Sequence, residues 1–187
     1  MNNTFRSLIQ LLEAKQGAKI ELEKLPYARN DLDPVLSEKA IDFHYGQLAK
    51  AYVDRYNSEE GDPDFNYAGA ILHNISFPQL MPAKNNNKPT GKAKQIIDEK
   101  YGSFEAFKEA FAEAAMGIQG SGWAYMSKNG DIKTIKNHAV RNDIAMLIDW
   151  WEHSMVPDYS QFKDMKPRYL KNHWRIINWE VVNHRLS

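Results

Sequence analysis

The chain contains no cysteine, and this absence narrows its chemistry. A protein without thiols forms no disulfide, offers no thiolate to a metal ion and has no cysteine nucleophile. Any metal site must therefore be built from histidine, aspartate, glutamate and water, which suit iron, manganese, zinc or cobalt. Long apolar stretches are also missing. No run of roughly 18 or more apolar residues predicts a membrane-spanning helix.

An excess of one charge is absent as well. Lysine and arginine together number 24, aspartate and glutamate also number 24, and the formal net charge is +0. Bulk charge therefore indicates neither a nucleic-acid partner nor an acidic one. No secretory signal pattern is present at the start, which favours a cytoplasmic location.

What the sequence does contain predicts an α+β fold. Its 187 residues, 12 % of them aromatic, can bury a sizeable core. Apolar residues at helical spacing predict helices first, followed by a small three-stranded antiparallel sheet with flanking helices. The predicted helices cover residues 2–16, 34–57, 65–80, 92–99, 104–116 and 167–182, and the predicted strands cover residues 123–126, 132–135 and 144–148.

Local signals support these elements and suggest domain limits. Ser103 can cap the helix that follows it, and Asn129-Gly130 is a strong signal for a two-residue hairpin turn. The wholly apolar stretch 144–148 suits the centre of the sheet. Residues 85–89, Asn-Asn-Asn-Lys-Pro, form the clearest linker. We therefore predict an N-terminal helical extension (1–24), a helical-hairpin domain (25–88) and a C-terminal metal-binding domain (89–187).

Three of the six histidines stand in apolar or aromatic surroundings: His44, His73 and His153. A single histidine in such a setting is more often a satisfied core residue than a metal ligand. Asp149 adds support for a metal site. It follows the apolar residues Met-Leu-Ile, and a buried carboxylate needs a charge partner or a cation. From the residues alone, Asp149 could equally be a helix cap or the partner of a nearby lysine. Three imidazoles and one carboxylate would suit a transition metal.

Seven short motifs follow one another along the chain, and together they cover about residues 25–185. In this order they closely resemble the iron/manganese superoxide dismutases, whose Asp-x-Trp-Glu-His element is highly specific. The motifs are Leu25-Pro26-Tyr27, Phe43-His44-Tyr45-Gly46, Leu72-His73-Asn74, Pro89-Thr90-Gly91-Lys92, Gly120-Ser121-Gly122-Trp123, Asp149-Trp150-Trp151-Glu152-His153 and Asn178-Trp179-Glu180.

The resemblance implies one iron or manganese ion per chain, bound by His44, His73, Asp149 and His153. Asp149 is expected to end a strand and His153 to lie on the loop beyond it. The implied reaction is the disproportionation of superoxide to dioxygen and hydrogen peroxide. The implied assembly is a homodimer or a tetramer, with superoxide as the partner molecule and neither nucleic acid nor membrane involved.

The resemblance also assigns roles around the metal. Tyr52, eight residues after His44, matches the tyrosine beside the substrate channel. Trp123 and Trp151 match aromatic residues that enclose the metal. Glu152 matches the glutamate that reaches across the dimer interface to a ligating histidine of the other subunit.

Two positions bear on the solvent molecule expected at the metal. The family places a glutamine near it, from the second helix in typical iron enzymes or from the sheet in typical manganese enzymes. The helix position here is Gly69, as in manganese enzymes. The sheet position is His138, with Asn137 as the alternative donor, so the sequence does not decide between iron and manganese.

Four further positions depart from the family pattern. Leu48 and Val156 replace a histidine and a tyrosine that meet across the dimer interface. Lys166 stands where the family has an arginine, and it keeps a positive charge that can attract an anion. Phe77 stands where a tryptophan usually closes the site. These changes leave two alternatives open: a non-catalytic scaffold or binding protein on the same fold, and a metalloenzyme with another small substrate.

Overall fold

Helices surround a single three-stranded antiparallel sheet in the computed structural model, which describes residues 18–187. The fold is the predicted α+β arrangement, with a helical hairpin followed by the sheet and its flanking helices. The predicted helix over residues 2–16 lies outside the described residues. The described elements are α1 (Glu38–Phe43), a π-helical segment (His44–Ala49), α2 (Lys50–Asn57), α3 (Pro63–Ser76), a 3-10 turn (Phe77–Gln79), α4 (Gly91–Tyr101), α5 (Phe104–Met116), β1 (Gly122–Ser127), β2 (Ile132–Lys136), β3 (Ile144–Asp149), α6 (Glu152–Tyr159), α7 (Met165–His173), a second 3-10 turn (Trp174–Ile176) and α8 (Trp179–Leu186).

Capping side chains set where several helices begin. The side chains of Ser37, Asp62 and Ser103 each accept a hydrogen bond from the backbone N–H three residues further on. Gly102 follows α4 with φ +79°, a left-handed conformation that ends a helix at little cost for glycine. None of the described helices combines the length and the apolar character needed to cross a membrane.

The helical hairpin consists of α1, the π-helical segment and α2 on one side and α3 on the other. Residues 38–57 form one uninterrupted helix whose middle is π-helical, and the π-helical segment begins at His44. Residues 20–23, which precede the hairpin, are bonded to it by two asparagine side chains. Asn57 pairs with both backbone groups of Ile20, and Asn74 accepts from the N–H of Glu23 and donates to the carbonyl of Glu21.

The sheet has the order β2-β1-β3, so β3 lies at an edge and β1 at the centre. The expectation that residues 144–148 would occupy the centre is therefore wrong. β3 is nevertheless wholly buried, because α3 and α8 pack against it. The side-chain amide of Gln79 takes the place of a neighbouring strand, since it bonds to both the N–H and the carbonyl of Leu147. A covered edge explains why the strand is apolar over residues 144–148.

Alternate residues of β1 face two different apolar clusters, as the two-residue period of a strand requires. Trp123 and Tyr125 join a cluster that includes residues of α3. Ala124 and Met126 join the larger cluster, which includes Phe107 of α5. The face that carries Trp123 is the one on which the histidines and Asp149 meet.

The predicted closing helix over 167–182 is two helices, α7 and α8, separated by a 3-10 turn and a short extended stretch. Ile177 is extended and pairs with Leu80 in an isolated β-bridge, and the N–H of Asn178 donates to the carbonyl of Gln79. Asn178 then caps α8. The apolar spacing continues through this break, so periodicity alone could not reveal it.

Candidate metal centre

Four side chains from three separate parts of the chain converge on one point. Their potential ligand atoms all lie within 4.8 Å of one another. Asp149 Oδ2 lies 3.0 Å from His44 Nε2, 3.6 Å from His73 Nε2 and 3.5 Å from His153 Nε2. His44, His73 and Asp149 are buried, and His153 is partly exposed. One carboxylate oxygen is therefore ringed by three imidazole nitrogens.

Backbone geometry aims the carboxylate at the imidazoles. Asp149 is the last residue of β3 and pairs with Trp123 on β1. Its Oδ1 accepts a hydrogen bond from the Trp151 N–H at 2.8 Å, which leaves Oδ2 to face the histidines. The Asp149 carbonyl accepts from the hydroxyls of Tyr169 and Ser154. These bonds hold the end of the strand from both sides.

His153 lies in the first turn of α6, so the expectation of a loop at this position is wrong. The bond from the Trp151 N–H to Asp149 makes a tight turn, and α6 begins directly after it. Pro157 argues against a helix here on propensity, yet α6 continues two residues beyond it. The short helix brings His153 back towards Asp149.

The imidazoles of His44 and His73 are buried in neutral form, and a backbone contact orients that of His73. Burial lowers the pKa of His73 to about 3, and it also lowers the pKa of His44. His73 Nδ1 lies 2.6 Å from the Gly69 carbonyl, which can only accept, so Nδ1 carries the proton and the lone pair of Nε2 faces the cluster. Burial opposes ionisation of Asp149, but the adjacent His153 and His44 outweigh it and keep the pKa of this carboxyl below its usual range.

This donor set fits a transition-metal ion. Asp149 Oδ2 and His153 Nε2 are buried and have no hydrogen-bond partner among residues 18–187. An ionised carboxylate that faces the lone pair of a neutral imidazole, as Asp149 faces His73, is repelled unless a cation lies between them. Nitrogen and oxygen ligands of this kind suit iron or manganese, and four protein ligands leave room for a small molecule.

Aromatic side chains enclose the cluster, including those that the sequence indicated. Tyr52 stacks on His73 with ring centroids 5.4 Å apart, and Trp123 meets His73 edge-on at 5.0 Å. Trp151 is tilted against His153 at 5.6 Å. Burial, helped by the charge of Asp149, raises the pKa of the Tyr52 hydroxyl, which therefore stays protonated at neutral pH.

His138 lies among these aromatic rings, whereas the side chain of Asn137 is exposed. The His138 ring stacks on Trp151 at 4.5 Å and lies 4.9 Å from the ring of Tyr52. Trp123 Nε1–H donates to His138 Nδ1 at 3.1 Å. Because burial lowers the pKa of His138 to about 4, the ring is neutral and its proton is on Nε2.

Three residues near the site act in ways that sequence reasoning had missed or described only in part. Phe65 lies eight residues before His73, two turns along the same helix, and its ring packs 5.9 Å from Tyr52 and 4.7 Å from His138. That spacing is the signal that could have found it. Phe77 packs against both His44 and His73. Gly69 leaves no space for a side chain, since an added Cβ would lie 2.8 Å from the Tyr52 ring.

The remaining predicted residues lie away from the ligands. Glu152 is exposed at the start of α6, and Val156 on the same helix is 41 % exposed. Leu48 is partly exposed in the π-helical segment. The Lys166 ammonium lies over the ring of Trp150, 5.9 Å from its centroid.

Two family models match separate parts of the chain. Residues 19–66 match the family model described as the alpha-hairpin domain of iron/manganese superoxide dismutases, and residues 89–185 match the model for the C-terminal domain. The chain is 38 % identical to a Bacteroides fragilis protein named superoxide dismutase [Fe], over 89 % of this chain and 98 % of that protein. It is 35 % identical to a Porphyromonas gingivalis superoxide dismutase [Mn/Fe], over 88 % and 98 %. A Sulfolobus acidocaldarius superoxide dismutase [Fe] is 31 % identical, over 96 % and 98 %.

Proposed function

The chain belongs to the iron/manganese superoxide dismutase family, and on that premise we propose that His44, His73, Asp149 and His153 bind a single iron or manganese ion per chain. The protein is a superoxide dismutase: it converts two superoxide anions and two protons into dioxygen and hydrogen peroxide. The observation that carries the ligand assignment is the buried Asp149 Oδ2, which faces three imidazole nitrogens and lacks a hydrogen-bond partner in the described chain.

The protein's own residues supply orientation, charge and protons. When bound, iron or manganese supplies the one-electron redox chemistry of the two half-reactions. Asp149 offsets part of the ion's charge, and the Gly69 carbonyl fixes the tautomer of His73 and increases its basicity. The phenol of Tyr52 remains a hydrogen-bond donor at neutral pH because burial raises its pKa.

His138 is proposed to orient solvent at the ligand cluster. Its Nδ1 accepts from Trp123, so Nε2–H is a donor, and no described residue accepts from it. His138 stacks on Trp151, meets the Tyr52 ring edge-on and packs against Phe65, which is 36 % exposed. Proton delivery to the second superoxide is then assigned to this donor and to Tyr52.

Metal analysis combined with a superoxide-decay assay tests the proposal. Wild-type protein is expected to hold close to one equivalent of iron or manganese and to consume superoxide at a rate proportional to its metal content. His73→Ala and Asp149→Asn should lose the metal and the activity together. His184→Ala, which changes an exposed histidine on α8, is the matched control and should retain both. Stoichiometric metal in the Asp149→Asn variant would contradict the ligand assignment.

A homodimer is proposed with α6 at the interface. Glu152 and Val156 are both exposed on this helix, and Glu152 is then free to reach the site of a second copy. Val156→Asp should convert the dimer to monomer in sedimentation velocity, whereas the exposed Met116→Asp, on α5, should leave the dimer intact. A tetramer in wild type would revise the stoichiometry. A cytoplasmic location stays a prediction that cell fractionation can check.

A further inference from the structure

A buried polar network lies next to the ligand cluster and takes no part in the proposed reaction. Its centre is Gln79, in the 3-10 turn after α3, which is fully buried. The Gln79 amide pairs with both backbone groups of Leu147: Leu147 N–H donates to Oε1 at 3.0 Å, and Nε2 donates to the Leu147 carbonyl. The turn that follows the His73 helix is thereby bonded to the strand that carries Asp149.

Arg185, from the last turn of α8, completes the network. Its Nη1 donates to Gln79 Oε1 at 3.0 Å and to the Ala145 carbonyl at 3.3 Å, and its Nη2 donates to the Ile75 carbonyl at 2.7 Å. All of these acceptors are neutral. Burial lowers the pKa of Arg185 to about 10, so the guanidinium is still charged at neutral pH.

Arg185 is partly exposed, but its guanidinium donates only to neutral acceptors and has no carboxylate partner among the described residues, so an ion pair does not explain its position. The Ile75 carbonyl belongs to the last turn of α3, where a positive charge is favourable to the helix dipole. The planar guanidinium can also reach two elements at once, which an amine or an amide cannot do as well.

The positions of the acceptors relate the network to the metal site. Ile75 is two residues after His73 on α3, and Leu147 is two residues before Asp149 on β3. α3 and β3 are far apart in the sequence, and no covalent constraint fixes their spacing. The network therefore joins α3, at a point two residues after His73, to β3, at a point two residues before Asp149.

We propose that Arg185 and Gln79 form a positioning clamp that sets the separation of His73 from Asp149, and so the affinity and the coordination geometry of the metal site. This inference rests on the ligand set proposed above. The hydrogen bonds given for the two residues within 18–187 reach no ligand side chain, and both residues act through the backbones of α3 and β3.

The test compares Arg185→Met and Arg185→Lys with wild type, using Arg168→Met as the control. Arg168 lies on α7, is partly exposed and pairs with Asp164, the residue just before that helix. Metal affinity is measured by competition with a chelator on folded protein. The spectrum of the manganese-loaded form is recorded by electron paramagnetic resonance, and unfolding is measured separately by urea titration of metal-free protein.

Arg185→Met should weaken metal binding 10- to 100-fold, the usual range for groups that orient ligands, and should broaden or shift the manganese spectrum. Arg185→Lys should lie between Met and wild type, since an ammonium can hold α3 or β3 but not both in a fixed fork. Arg168→Met should change neither affinity nor spectrum.

Wild-type affinity and spectrum in both Arg185 variants, with only the urea midpoint lowered, would overturn the clamp. If Arg185→Met does not fold, Arg185→Lys decides by the same two measurements. Failure of the underlying ligand set looks different: wild type itself would then bind metal no more tightly than His73→Ala does.

Discussion

His173 offers a test of how burial and protonation shape the stability of this fold. It lies at the end of α7, is 2 % exposed and packs against the ring of Tyr169 with centroids 5.1 Å apart. Neither of its ring nitrogens has a hydrogen-bond partner within residues 18–187. Leaving a buried polar group unpaired costs about 1 to 3 kcal/mol. His173→Phe keeps an aromatic ring of similar size and removes that cost.

The expected gain has two parts. At pH 7.5 the free energy of unfolding of His173→Phe should exceed that of wild type by about 1 to 2 kcal/mol. The removal of the unpaired polar group stabilises the variant, and packing of the slightly larger ring offsets part of that effect. Burial lowers the pKa of His173 from 6.5 to about 4. Between these values the unfolded chain binds a proton that the folded chain does not, so wild type loses stability as the pH falls. At pH 5 this adds about 2 kcal/mol to the advantage of the variant.

Urea unfolding of metal-free protein at pH 7.5 and pH 5, at one protein concentration, measures both parts. Protonation of the other histidines is common to both proteins and cancels in the difference. His184→Phe, at an exposed position on α8, should stay within about 0.5 kcal/mol of wild type. An advantage that does not widen at pH 5, or a His173→Phe variant less stable at both values, would refute the reasoning.

Three further changes test local features. Gly69→Ala places a methyl group against the ring of Tyr52, 2.8 Å from its nearest atoms, and should cost about 1 to 3 kcal/mol in urea unfolding and lower the superoxide-decay rate per bound metal. A Gly69→Ala variant with wild-type stability would show that Tyr52 can move freely. Ser37→Ala removes the cap of α1 and should cost about 1 kcal/mol, with the metal content unchanged. Asn74→Ala leaves the backbone of residues 21 and 23 without its two side-chain bonds, and we expect a loss of about 2 to 3 kcal/mol and faster proteolysis of that stretch, monitored by mass spectrometry. Unchanged cleavage there would mean that Asn57 alone holds the stretch in place.

The sequence predicted the elements that local chemistry defines. α5 begins after its Ser103 cap at the predicted residue, and the Asn129-Gly130 signal marks the connection between β1 and β2. The expected two-residue loop is wrong, because Met126 pairs with Ile132 and the Gly130 N–H donates to the Ser127 carbonyl, which makes the loop longer. Turn and cap residues act on the backbone within a few positions, so one sequence is enough to find them. The α+β class follows from the order of these elements.

Features that depend on distant partners could not be predicted. β3 was expected at the centre of the sheet because it is apolar on both faces, but a side-chain amide from residue 79 covers its edge. The break before α8 depends on the pairing of Ile177 with Leu80, which are far apart in sequence. Nothing near Gln79 or Arg185 in the sequence indicates that they meet.

The candidate site also has parts that the sequence predicted and parts that it did not. From residue types alone, Asp149 could have been a helix cap, and only the ordered motifs of a known family related it to His44 and His73. The structure brings these side chains together with His153. Phe65 was missed although its spacing of two helical turns from His73 places both on one helix face, because its contact with His138 depends on a residue far away in the sequence.

The π-helical segment that begins at His44 gives the hairpin one residue more than regular winding would need between His44 and Tyr52. A π-helix holds more residues per turn than an α-helix, so the segment behaves like a stored one-residue insertion. Eight regular α-helical steps would leave the two side chains about 80° apart around the helix axis, whereas the wider turn takes up the extra residue and lets both face the same cluster. Removing one residue from the segment would therefore restore regular winding with His44 and Tyr52 still on one face, whereas adding one would turn them apart.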